Sequence, residues 1–249
     1  MPADLPPRLG RRAALAAAWL AAGLTASPWA WGNDAAAAAA DPPSSSLPAL
    51  AAQFRVTLSR PGQACQTQTW QITRSHSLIT WLKGPGTEEL WRGDRSGIRL
   101  ERVMRSDRHV IEYSAGELRA LDVVLDWGAL ATLFPADQLK GLRPLASPAR
   151  AGPVLHLRGR IGQEQVDLLW DPAAQLPVRL ARSGPQGQVL FERIALHAQA
   201  PAAWPQAGAG LDDFQRVDAS DFGDMAYNPV VRKAHALDQR AGWRRTHAD

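Results

Sequence analysis

Val166-Asp167-Leu168-Leu169-Trp170-Asp171-Pro172 alternates apolar and polar side chains and runs into an Asp-Pro turn. Leu176-Pro177-Val178-Arg179-Leu180 resumes the alternation, and Gly187-Gln188-Val189-Leu190-Phe191-Glu192-Arg193-Ile194 takes it up after a second turn. A period of two places every other side chain on one face, so each run reads as a strand with one face buried. Turn signals this close together make consecutive strands antiparallel hairpins. The same pattern extends outward in both directions. Leu155 and Leu157 alternate with His156 and Arg158 just upstream. Further toward the N-terminus come Phe54, Val56 and Leu58, then Trp70 and Ile72, Ile79 and Trp81, and Ile98 and Leu100. Short candidates at 110–113 and 118–121 complete the series. Pro61-Gly62, Gly84-Pro85-Gly86, Gly93-Asp94, Gly159, Gly162 and Gly184-Pro185 separate the runs. About ten strands in one sheet curl into a barrel or split into a sandwich.

One stretch inside the series changes period. In 126–134, Trp127, Leu130, Leu133 and Phe134 fall at helical spacing behind Asp126, a good N-cap. Pro135 stops it, and 136–142 reads as a second short turn ending at Gly141. An apolar helix pair inserted between two meanders must pack on the concave face of the sheet or plug its mouth. Near the C-terminus Asn228-Pro229 opens a helix to about Arg240, with Val230, Ala234, Leu237 and Ala241 on one stripe. The expected fold is therefore mainly β: a curled antiparallel sheet, an unclosed barrel, with an inserted helical lid and a C-terminal helix.

This order of parts resembles the LolA/LolB/RseB-like periplasmic fold over about residues 47–197. The matching stretches are the 47–50 lead-in to Gln53-Phe54-Arg55-Val56, the helix at 126–134, and the hairpins from Val166 to Ile194. The resemblance implies an unclosed barrel with a helical lid between its halves. It also implies binding rather than catalysis, since carriers of that group hold acyl chains in an apolar cavity and sensor relatives bind envelope proteins or lipids. The weak N-terminal helix and the tail after Pro201 depart from the pattern. No functional residue of the group maps onto a position of this chain.

The N-terminal 32 residues have the layout of a secretory signal: Arg8, Arg11 and Arg12, then an uncharged stretch at 13–26, then Ser27-Pro28 and small residues. The apolar stretch is shorter than the ~20 residues a spanning helix needs, so no permanent membrane span is expected once it is removed. The Arg11-Arg12 pair leaves the general and the twin-arginine export routes both open. An alanine, proline and serine leader occupies 33–48, the β domain 49–199, and a linker with a helical tail 200–249. Three of the 28 basic residues and one of the 24 acidic residues lie in the first dozen positions, so the rest carries about +2. That balance is an ordinary surface and argues against a nucleic-acid partner. Hydrophobic residues at 45% and charged residues at 21% of the chain exclude wholesale disorder. The single Cys65 excludes a disulfide framework. The expected compartment is the periplasm.

Candidate sites follow from the same pattern. Trp70, Ile72, Trp81, Trp127, Leu130, Leu133, Leu168, Trp170 and Phe191 face the concave side; they either line an apolar ligand cavity or fill it as core. In the tail, Phe214, Phe222, Met225 and Tyr227 are apolar anchors set among acids, fit to dock on a partner or to fold back on the domain. Asp218, Asp221 and Asp224 repeat every third residue but lack the order of a calcium loop. Cys65 and His76 flank the Trp70 strand, a weak basis for a thiol nucleophile. The histidines show no metal-ligand spacing, and adjacent Glu88 and Glu89 read as surface carboxylates pointing apart. No nucleophile elbow, phosphate loop or dinucleotide fingerprint occurs. No cofactor, metal or catalytic residue is expected. The leading function is an exported carrier holding a lipid or acyl chain, or the lipid of a lipidated protein, in lipoprotein sorting. The alternative is a non-enzymatic envelope accessory protein docking through its tail, and a hydrolase stands third.

Overall fold

The computed structural model describes residues 47–84, 87–121, 123, 126–145, 153–241 and 243. The export signal expected at 1–32 and nearly all of the expected 33–48 leader lie outside them. Among the described residues no helix is long and apolar enough to cross a membrane.

The first meander comprises β1 (Leu50–Ser59), β2 (Gln66–Arg74), β3 (Leu78–Lys83), β4 (Thr87–Asp94), β5 (Gly97–Met104) and β6 (His109–Tyr113). Three short helices follow: α1 (Ala115–Ala120), α2 (Trp127–Thr132) and α3 (Ala136–Lys140). The second meander is β7 (Arg143–Pro144), β8 (Leu155–Ile161), β9 (Glu164–Asp171), β10 (Leu176–Gly184) and β11 (Gly187–His197). The tail adds β12 (Gln215–Asp218) and α4 (Pro229–Arg240). All the strands form one open sheet in the order β12-β6-β5-β4-β3-β2-β1-β11-β10-β9-β8-β7. The two meanders join where β1 pairs antiparallel with β11, so the first strand of the domain is central.

Register aligns the apolar positions across that junction. Val56 faces Phe191, Phe54 faces Trp70, Ile72 faces Trp81, and Leu168 faces Leu180. Because side chains alternate along a strand, these pairs put one continuous apolar layer on a single face. The helices lie on that inner face, and their apolar residues belong to the same core cluster.

Three readings of the sequence need correction. The 118–121 candidate is helical, because Ser114 and Glu117 form a reciprocal capping box that starts α1. β4 has no alternation to detect: Glu88, Glu89, Leu90 and Trp91 are all buried, since both faces of this strand are covered. Glu88 is bound by Arg105 and by the Gly208 N–H on one side, and Glu89 by Lys83 on the other. They point apart, but neither is a surface group. The tail strand β12 pairs parallel to β6, Gln215 facing His109, a partnership too distant in sequence for local pattern to announce.

The inner face, its lid and the tail

Eight of the nine residues expected on the concave side are buried, with exposures between 0% and 6%; Leu130 is half-buried against them. The aromatic members meet edge to face. Trp70 stands 5.8 Å from Trp81 and 5.5 Å from Phe191, at interplanar angles of 90° and 80°. Such T-shaped contacts align the positive ring edge with the negative ring face. Lys83 completes the group, its Nζ 5.4 Å from the Trp70 ring and 2.7 Å from Glu89. In this conformation the space between sheet and lid is occupied by side chains. The Trp70 indole N–H lies inside it, buried and without a hydrogen bond among the described residues.

The lid is α2 with its neighbours. Asp126 accepts from the Gly128 N–H at 2.8 Å and starts the helix, as its position in the sequence predicts. Trp127 lies against β4 at Gly93, where an added Cβ would stand 2.9 Å from the indole ring; only glycine allows that approach. Leu133 ends the helix in the left-handed region at φ 64°, an unfavourable conformation for leucine. Arg74 pins three segments together. Its guanidinium donates to the carbonyls of Pro48 (2.9 Å), Ala131 (2.8 Å) and Ala174 (2.7 Å). Burial without a carboxylate pushes its pKa down to about 10.

The tail folds back onto the domain. Phe214 packs over Leu90, Val103 and Val110 on the outer face. The chain then crosses the β6 edge as β12, and Phe222 and α4 come to lie on the inner face over β4, β5 and β6. Asn228 caps α4 through the Val230 N–H at 2.8 Å. Val230, Val231 and Ala234 are buried, and Trp243 stacks on Trp91 at 6.2 Å and Tyr113 at 5.8 Å. The helix is locked by ions: Arg102, almost fully buried, meets Asp238 at 2.6 Å, Tyr113 Oη at 3.1 Å and Glu89 at 3.7 Å. The Tyr113 hydroxyl donates to Asp238 as well, and burial pushes its pKa up. Burial alone would also raise Glu89, but Lys83 and Arg102 outweigh it and hold this carboxyl below the usual range.

Three of the four expected docking anchors are thus packed against the chain's own core. Phe222 is buried, Met225 and Phe214 are half-buried, and Tyr227 alone is exposed, at 95%. Asp218 accepts from the Ser220 N–H at 2.8 Å and caps the turn. Cys65 is exposed at the start of β2 and His76 lies beyond its end. Nine residues of extended chain separate them by about 30 Å, so they do not form a catalytic pair.

No family model and no curated protein matches the chain. Among solved structures it is similar to MucB in complex with MucA(peri), at 18% identity and a TM-score of 0.35, covering 64% of this chain and 54% of that one. The chain therefore spans little more than half of that MucB chain. It is also similar to the LolA superfamily protein NE2245 from Nitrosomonas europaea, at 11% identity and a TM-score of 0.33, covering 63% and 88%. A putative outer membrane lipoprotein-sorting protein domain from Vibrio parahaemolyticus gives 9%, 0.29, 64% and 88% in the same terms.

Proposed function

We propose that this chain is a non-catalytic, exported binding protein of the periplasmic carrier type, and that it takes a lipid or acyl chain between its sheet and its lid. The nine residues from Trp70 to Phe191 are the proposed lining. The observation that carries this reading is the Trp70 indole N–H, a buried donor without a partner among the described residues, in the middle of an apolar, aromatic surface. An unpaired buried donor costs about 1–3 kcal/mol, and the ester or carboxyl oxygen of an acyl ligand would satisfy it. The cover is suited to moving. α1, α2 and α3 are five or six residues long, too short to persist without their packing. The left-handed Leu133 gives the closed lid a strained residue that opening would relax.

The test is to purify the exported protein without detergent and examine it by native mass spectrometry, then to titrate it with methyl laurate by calorimetry. Co-purified lipid and saturable binding are expected. Trp70→Phe, which keeps the ring and removes the donor, should weaken the ester roughly fivefold to tenfold. Absence of both lipid and ester binding would end the carrier reading. N-terminal sequencing of the same material checks export, with cleavage expected near residue 30. Docking on an envelope partner through the tail is the weaker reading, because its anchors are spent on the chain's own core.

A further inference from the structure

We infer that the outer face of the second meander carries a separate groove for an anionic amphiphile, a phosphate or carboxylate joined to an aliphatic chain. The groove has a volume of about 570 Å³ and lies across β7, β8, β9 and β10, on the side of the sheet away from the lid. Asp167 organises its polar wall. Its carboxylate accepts from Arg158 Nε at 2.9 Å, from His156 Nε2 at 3.2 Å and from Arg179 Nη1 at 3.3 Å. Two guanidinium groups against one carboxylate leave a surplus positive charge. Among the described residues, Arg158 Nη1 and the Nε and Nη2 of Arg179 take no part in these bonds. Asp167 also holds both guanidinium planes in place, so less side-chain freedom is lost when an anion arrives.

The other wall is aliphatic. Leu145 closes one side, and Val154 and Leu169 lie on the floor, Leu169 beside Arg179. Leu145 is 38% exposed, one of the large hydrophobic residues that the fold leaves in water among the described residues. A lone exposed leucine is ordinary. With Val154 and Leu169 on the same side of a paired-guanidinium site, it makes a lining that is cationic at one end and apolar at the other. A groove of this volume lies in the range of small-molecule sites, and its two walls match one molecule with a charged head and a hydrocarbon tail.

The test uses the full ¹⁵N-labelled chain and dodecyl phosphate below its micelle concentration, with inorganic phosphate and dodecyl maltoside as parallel titrants. Saturable shifts are expected at the amides of Leu155, His156 and Leu169, while the Trp70 and Trp170 indole signals stay in place. Both arginines are well exposed, so Arg158→Gln/Arg179→Gln keeps the fold and should weaken dodecyl phosphate roughly tenfold or more. Leu145→Asp should do the same. Equal binding of dodecyl maltoside, or unchanged affinity in the arginine variant, would overturn the anionic head. Equal binding of inorganic phosphate would overturn the aliphatic tail. Movement of the indole signals instead would place the ligand under the lid and overturn the groove, whether or not the carrier reading stands.

Discussion

Arg102 is the residue on which the tail depends. It is buried on β5, and its nearest carboxylate is supplied by α4, 136 positions later. Asp238→Ala would leave the guanidinium in the core with the Tyr113 hydroxyl and, as its one remaining carboxylate, Glu89 at 3.7 Å. Breaking a buried pair in this way costs about 3–5 kcal/mol, read as a lower urea midpoint. Replacing both partners, Arg102→Met/Asp238→Leu, should recover most of that loss, because removing both charges also removes their desolvation. Arg74 is a second case. It has carbonyls for partners where Arg102 has carboxylates, so Arg74→Lys loses donors that three chain segments share. A cost of about 2 kcal/mol or more is expected, measured in the same urea experiment. Neither residue could be assigned from its neighbours. Arg74 and Arg102 sit at inward positions of alternating strands, where pattern alone suggests a hydrophobe.

At the level of elements, turns and caps are local and the sequence shows them. Asn228-Pro229 starts α4, Asp126 starts α2, and Gly141 follows α3. The β10–β11 turn depends on Gly187, whose φ is +122° and whose Cβ, if added, would stand 2.2 Å from the Ser59 carbonyl oxygen. Gly187→Ala should therefore cost about 2 kcal/mol or more, seen as a fall in melting temperature. It should also loosen the end of the β1–β11 pairing that joins the two meanders, seen as faster amide exchange at Ser59 and Gln188. Elements were missed where burial broke their period. β4 is covered on both faces and shows no alternation. α1 carries a single buried residue, Leu118, and its apolar run looks like a strand until its capping box is considered.

The molecule as a whole is one sheet to which the tail belongs. β12 extends it, α4 covers its inner face, and Arg105 binds both Glu88 and the Ala209 carbonyl on the outer face. Urea unfolding followed by tryptophan fluorescence and by far-UV circular dichroism should give coincident transitions; a separate, earlier transition for the tail would contradict this. Acid should act on the same connections. Lys233 holds Asp107 below the usual carboxylate range, and Lys83 with Arg102 does so for Glu89. A depressed folded pKa contributes stability above the unfolded value that is lost as pH falls through the folded one. Melting temperature should thus be flat near neutrality and fall below about pH 4, with Glu89→Gln flattening the acid limb.

Read alone, the sequence determined the period-two strands, the breaks between them, the mid-chain lid and the cap of the last helix. These depend on side chains a few residues apart, within reach of local geometry. The nearly neutral charge beyond the first dozen residues also belongs to composition, and the expectation of no nucleic-acid partner rests on it alone. Only the tertiary structure decided what each face of the sheet meets. It placed Phe222 in the core, paired Arg102 with Asp238, and gathered Arg158, Arg179 and His156 around Asp167. The reason is physical: burial is a property of both faces of an element, and a strand's pattern records which side is apolar but not which distant segment will cover it.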